Sequence, residues 1–336
     1  VRDDTMAQAR GHPFVYYARG GELVLATPER TIARHRGTYT GFGFTHDNSR
    51  IYALDGAGGL TSFDVAAGAE SHRFDCHCTK VFPLAGASVG WWQPDGFADT
   101  DLSSPKPIVP KEVRMSPPRD PLTPGNTLSG PQLLAAHANG LILDLTEAPP
   151  GVTWAVNHLF HIDTATGAAR ELGRVEDVNM PLVPGAFRSD GREAAFIGHT
   201  RDGSTCGRAH LVSVQLPEGR IDTQRLPVES TCSAITDLRW AGATVIATGL
   251  MWEPTAPERL TGTEVWTRTG GQWDRRGDTA TLRYGPLTPQ VTLRVQRTGT
   301  EGVHAVQSGD LVLSSATETR VLAHDVVDVR LPGVLP

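Results

Sequence analysis

The chain has 336 residues, 36 of them Gly and 24 Pro, with 39% hydrophobic, 20% charged and 7% aromatic side chains. Gly and Pro together make up roughly one residue in six along the chain, a density of turn formers that argues against a helical bundle or a coiled coil. The net charge is −6 and no run of three basic residues occurs, which argues against nucleic acid as a partner; no apolar stretch approaches the ~18 residues that cross a bilayer.

In chain order, residues 1–11 read as a polar N-terminal tether and residues 12–336 as one domain. Phe14 to His35 supplies three strands with no inner strand before them, the last two joined by a polar turn in LVLATPERTIARH (23–35). GFGF-THDNSR-IYALD (41–55) is a strand, a short polar turn and a strand. LTSFDVAAGAESHRF (60–74) then gives an alternating strand, an Asp, a small-residue turn closing on Gly, and another strand. LFHIDTATGAARELG (159–173) repeats that pattern, GAF-RSDGRE-AAFIG (185–198) repeats the earlier one, and LVSVQLPEGRIDTQRL (211–226), EVWTRTGGQWDRR (264–276) and LVLSSATETRVLAH (311–324) continue it. The recurring turns fall near residues 28, 68, 105, 167, 219, 271 and 317. Their spacing of about 40 to 60 residues is the period of a four-stranded propeller blade.

The expectation is therefore an all-β, seven-bladed β-propeller of four-stranded antiparallel blades, with six or eight blades as alternatives. The tail Asp325 to Leu331 (DVVDVRL) is a strand with no blade after it, so the two ends of the chain should close one blade. Closure of that kind removes open sheet edges. The F-x-x-D-G-R-x-x-A-F stretch from Phe187 to Phe196 resembles the strand-turn-strand unit of bacterial TolB-like, YVTN and WD40 propellers. That resemblance implies a fold and a scaffold role, and it carries no catalytic residues.

In a blade with strands A to D from the inside out, the B–C loops and the links to the next blade share one face. Four long segments fall there, around blades four to six: Met115 to Gly130, Leu145 to Val156, His199 to Arg208 and Met251 to Gly262. Pro at 105, 107, 110, 117, 118, 121, 124 and 131 stiffens the first of these. Long loops on a rigid scaffold concentrate binding residues. The candidates are Trp154, Trp252, His199, Arg201, Asp202, Glu253, Glu258 and Arg259, aromatics flanked by charge that would suit a protein, peptide or glycan; the alternative is that each Trp packs under its own loop.

Cys206 and Cys232 should reach the same face of neighbouring strands and form a disulfide. Cys76 and Cys78 are open to three readings: a local disulfide, free thiols or a soft-metal pair. Four cysteines and a first residue that is not Met favour an exported, extracytoplasmic protein, envelope-associated or secreted. Gly86-Ala87-Ser88-Val89-Gly90 matches G-x-S-x-G, but a nucleophile elbow must join a strand to a helix, and WWQPDG follows instead. His158 and His161 lie at i and i+3 in a strand and point to opposite faces, so they cannot chelate together. The function expected is a monomeric, non-catalytic binding propeller with no cofactor and no metal site. The alternatives are a lyase or hydrolase working at the channel mouth, with or without a divalent metal, and a structural subunit of an envelope complex.

Overall fold

The structure, a computed structural model, describes residues 4–94, 96–104, 111–114, 123–152, 154–201, 206–230, 232–299 and 307–333, with backbone alone at 258. A short 3-10 helix, Thr5–Ala9, sets Met6 and the fully buried Ala9 against the core ahead of the first strand. Every other element is a strand, and every sheet is antiparallel with strands hydrogen-bonded in chain order.

Strands β1 (Phe14–Ala18), β2 (Glu22–Ala26) and β3 (Thr31–Arg36) come first. A four-stranded sheet follows: β4 (Tyr39–Phe44), β5 (Arg50–Asp55), β6 (Gly59–Asp64) and β7 (Glu70–Asp75). The next sheet has three strands, β8 (Phe82–Pro83), β9 (Ser88–Gln93) and β10 (Gly96–Asp101), with a single bridge from Phe97 to Lys111 where a fourth would lie. The turn expected near residue 105 lies outside the described residues. Three more four-stranded sheets comprise β11 (Thr127–His137), β12 (Gly140–Ala148), β13 (Val156–Asp163) and β14 (Ala169–Arg174); β15 (Val183–Phe187), β16 (Glu193–Arg201), β17 (Gly207–Gln215) and β18 (Arg220–Arg225); and β19 (Ser233–Ala241), β20 (Thr244–Glu253), β21 (Ala256–Thr269) and β22 (Gln272–Arg276).

The last group, β23 (Thr281–Pro286), β24 (Thr292–Arg297), β25 (Gly309–Ser314) and β26 (Thr319–Arg330), runs on through β26 into β1, β2 and β3 as one seven-stranded sheet. Thr319 to Ala323 pair with β25, while Val326 to Arg330 pair with β1. Asp325 marks the changeover with a positive φ of 54°, and its carbonyl accepts from Arg19 N at 2.8 Å. The two ends of the chain thus close one sheet, as expected. Seven separate four-stranded sheets do not form among the described residues, which make six sheets, because β26 serves two groups of strands without a break.

Local turn chemistry sets the repeat. Asp64 Oδ1 accepts from Ala67 N at 2.8 Å, and Asp163 Oδ1 accepts from Ala165 N at 2.8 Å and Thr166 N at 3.0 Å. In both turns the following Gly, Gly68 or Gly167, takes the positive φ that closes the hairpin. Each sheet then buries both faces against its neighbours, so the core is a set of layers between sheets. On β12, Leu141, Leu143 and Leu145 pack with Phe82 and Phe97 of the preceding sheet, whereas Ile142 packs with Phe196 and Val212 of the following one. Burial on both faces explains why the middle strands read as near-continuous apolar runs.

One buried group runs against this pattern. Asp144, fully buried on β12, has one carboxylate oxygen without a partner, while the other receives Thr146 Oγ1 at 3.4 Å. Burial raises its pKa from the usual carboxylate range to about 7. The folded state therefore holds a proton that the unfolded state releases near pH 4, so this group's contribution to stability is full below about pH 4 and is lost as pH rises through 7. Asp144→Asn should stabilise the protein at pH 8, by no more than about 4 kcal/mol, and flatten its pH dependence between 4 and 7. Urea unfolding across that range tests this, and an unchanged slope would assign the dependence to other groups.

Candidate functional site

The innermost strands surround a central channel with a cavity of about 500 Å³. Each inner strand enters from the face of the inter-sheet links, so Thr40, Lys80, Val183 and Thr236 ring one mouth and His46, His137, Ser189 and Ala241 the other. At the second mouth the rings of His46 and His137 meet edge-on at 6.2 Å, and His137 Nε2 lies 3.1 Å from Ser189 O. Leu331 to Gly333 line that end. They are held by a reciprocal pair in which Asn48 Nδ2 donates to Gly333 O at 2.8 Å and Gly333 N donates to Asn48 Oδ1 at 3.1 Å.

Between the mouths stands an ion cluster drawn from three inner strands. Asp328 Oδ1 accepts from Arg239 Nη2 at 3.1 Å and Arg283 Nε at 3.0 Å, and its Oδ2 accepts from Arg330 Nη2 at 3.0 Å. Asp237 Oδ2 lies 2.7 Å from Arg239 Nη2, and its Oδ1 lies 3.3 Å from Arg330 Nη2. Arg239 Nη1 also donates to Val329 O, tying β19 to β26. Burial by itself would raise both carboxyl pKa values, but the three guanidiniums outweigh it and hold Asp237 and Asp328 below the usual carboxylate range. Three guanidiniums face two carboxylates, and Lys80 adds a fourth cation, so the channel is locally positive inside a protein of net charge −6.

Lys80 Nζ donates to Pro184 O at 3.2 Å and sits 5.2 Å from the Phe82 ring centre. Burial within the channel, then the like charge of Arg330, lower its pKa to about 8, against a smaller raising effect of Asp237. Tyr52 reaches the channel from the second strand of its sheet because Gly43 leaves room, since a Cβ at residue 43 would stand 2.7 Å from its hydroxyl. Spacing could not reveal these residues, which come from separate strands up to 278 positions apart; the small-residue run Gly41-Phe42-Gly43 was the one local signal.

The long segments read from sequence are partly strand. His199 and Arg201 end β16, Trp252 and Glu253 end β20, and Arg259 lies on β21, so Met251 to Gly262 is a long hairpin rather than a loop. Its Pro257 is tolerated because that stretch extends beyond β22 and has a free edge. The structure gathers His199, Cys206, Cys232 and Trp252: His199 Nε2 lies 3.2 Å from Ser233 O, and Trp252 N donates to Cys232 O at 3.3 Å. The His199 ring fills the space where a side chain at Gly207 would stand, and burial lowers its pKa. Arg259 pairs with Glu253 at 3.4 Å, both at the surface. Trp154 stands apart on the sheet of β11 to β14, 41% exposed, and Trp252 is half-buried. Asp202 and the Glu258 side chain lie outside the described residues.

All four cysteines are bridged, Cys76 to Cys78 and Cys206 to Cys232. The local disulfide, among the three readings of Cys76 and Cys78, is the one found. Among the described residues no three His, Cys, Asp or Glu side chains gather as metal ligands. Gly86 and Ala87 form a turn and Ser88 to Gly90 open β9, with no helix after them. His158 bonds Glu147 Oε2 at 2.9 Å in a buried pair, while the His161 ring lies against Gly140.

No protein-family model matches the chain, and no curated protein matches it in sequence. Solved structures do match in shape, among them three at 10 to 12% identity. The β-propeller domain of the trilobed protease from Pyrococcus furiosus aligns at TM-score 0.53 and 11% identity, over 93% of each chain. The Cps50 (Swd1) β-propeller domain of Myceliophteria thermophila aligns at 0.53 and 12% identity, over 86% of this chain and 91% of that one. Oligogalacturonate lyase from Vibrio parahaemolyticus aligns at 0.51 and 10% identity, over 93% of this chain and 84% of that one. At such identities the likeness is one of fold alone. The chain is a β-propeller.

Proposed function

We propose that this protein is a seven-bladed, non-catalytic binding propeller of an extracytoplasmic compartment, which recognises a protein, peptide or glycan through the face where the inter-sheet links emerge. The observation that carries the reading is an apolar group on that face. Leu128 at 40% exposure near the start of β11, and Val152 at 37% and Trp154 at 41% in the link from β12 to β13, all belong to that face of one sheet, and they are three of the five large hydrophobic residues exposed among those described. Exposed apolar groups on a rigid rim are the usual anchors of recognition. His199, Arg201, Glu253 and Arg259 supply polar contacts on the neighbouring sheets of the same face. The two disulfides favour an oxidising compartment. The split pairing of β26, outer strand to β25 and inner strand to β1, supports a count of seven blades.

Screening immobilised glycans and displayed random peptides against the wild type and Trp154→Ala tests the reading. The expected result is a binder weakened at least about tenfold by the substitution, the effect of losing one aromatic anchor. Binders held equally by both proteins would remove Trp154 from the function.

A further inference from the structure

Three side chains in the channel have hydrogen-bonding capacity that no group among the described residues uses. Lys80 Nζ has three donors and one acceptor, Pro184 O, and among the described residues no carboxylate lies within ion-pair distance of it. Arg330 commits Nε and Nη2 to Asp328 and Asp237, and among the described residues its Nη1 has no hydrogen-bond partner. Tyr52 is 9% exposed and lines the channel, and among the described residues its hydroxyl has no hydrogen-bond partner. All three line the same cavity, and the charge of Arg330 acts on both Lys80 and Tyr52.

We infer that Lys80, Arg330 and Tyr52 form an oxyanion site in the central channel, and that its ligand is a small organic anion carrying a carboxylate or a phosphate group. Two cations and a neutral phenol lining one cavity are donors of the kind that an oxyanion takes. The two cations repel one another when the space is empty, and a bound anion would relieve that repulsion while filling the unused donors. A bare inorganic ion would leave most of the space unfilled. The cavity of about 500 Å³ is the size of a small-molecule site, and Phe42, Phe82 and Leu238 offer apolar walls to a carbon body. Lys80 stands at the mouth ringed by the inter-sheet links, so the site opens on that face, while Leu331 to Gly333 line the opposite end. Gly43 is part of the construction, because any side chain there would displace the Tyr52 hydroxyl.

Isothermal titration of the intact protein at low salt with acetate, benzoate, inorganic phosphate and phenyl phosphate tests the site. One-to-one binding is expected for at least one member of the set, tighter for the ring-bearing anion than for its bare counterpart. Binding of the carboxylates alone or of the phosphates alone identifies the headgroup. Lys80→Met should weaken binding about tenfold or more, and Tyr52→Phe several-fold. Gly43→Ala should mimic Tyr52→Phe. A melting temperature close to the wild type's shows that each variant is folded, and Tyr52→Phe, which removes one oxygen, keeps the test open if Lys80→Met does not fold. No binding of any of the four anions at about 10 mM, or equal affinity in the wild type and the folded variants, would overturn the inference. Trp154→Ala should leave these affinities unchanged, so the outcome here is separable from that of the rim recognition proposed above.

Discussion

Ending the chain after His324 is expected to abolish cooperative unfolding, a far larger effect than removing a terminal segment normally has. The deleted stretch contains half of β26, whose residues Val326 to Arg330 form the hydrogen-bonded partner of β1. Val326 and Val329 are fully buried, in one cluster with Phe14, Tyr16, Leu293 and Leu311. Burying a valine contributes about 2 kcal/mol, and the deletion also takes Asp328 out of the channel, leaving Arg239 and Arg283 with Asp237 as their remaining carboxylate. Stranding a buried charge costs about 3 to 5 kcal/mol, so the combined loss approaches the roughly 5 to 15 kcal/mol that a domain has in total. The edge of β1 would also be bared to other chains. Thermal and urea unfolding with limited proteolysis test this, with deletion of residues 334–336 as the control and Val326→Ala and Val329→Ala as graded versions. A truncated protein that keeps its melting temperature would show that the ring does not depend on the β1 to β26 pairing.

That closure was legible in the sequence because it follows from counting strands, and the hairpins were legible because their chemistry is local. Six of the seven expected turns fall between paired strands, and five of the six have Asp or Ser side chains or a positive-φ Gly to close them, as at Asp64 and Gly68 or Ser315 and Glu318. The Cys206–Cys232 disulfide was legible because the two residues flank neighbouring strands, whereas Cys76 and Cys78, two residues apart, stayed open to three readings until their bridge was seen. Met251 to Gly262 misled because Pro254, Pro257 and Gly262 look like breakers, yet a hairpin that projects past its outer neighbour keeps pairing from Trp252 to Leu260. The channel was invisible for a different reason. Tyr52, Lys80, Asp237, Arg239, Arg283, Asp328 and Arg330 meet only after the ring closes, and along the chain each reads as an ordinary polar residue near a strand end. Asp144 was hidden likewise, since an Asp within LILDL is a sign of two-sided burial only once both neighbouring sheets are in place.

Asp328→Asn should cost about 3 to 5 kcal/mol, the largest loss expected from any single substitution in the channel. Asp328 accepts from Arg239, Arg283 and Arg330 together, so neutralising it leaves three guanidiniums around Asp237 in a partly dehydrated space. The cost lies mainly in those unpaired cations rather than in the bonds lost, which makes a double substitution informative. Asp328→Asn with Arg330→Met removes one cation along with one carboxylate, and it should recover a large part of the stability lost by Asp328→Asn. The same cluster sets a pH dependence of definite sign. The folded-state pKa values of Asp237 and Asp328 lie below the unfolded value near 3.9, so the folded state gives up these protons more readily. Their contribution is therefore complete above about pH 4 and is lost as pH falls through the folded-state values, the reverse of the behaviour of Asp144. Acid titration followed by urea unfolding at each pH should show a steep loss below about pH 4 in the wild type and a shallower one in Asp328→Asn, which has one of the two carboxyls less to protonate. If the two proteins lose stability in parallel below that pH, the channel cluster is not what the acid transition reads, and the three arginines must be neutralised by something other than Asp237 and Asp328.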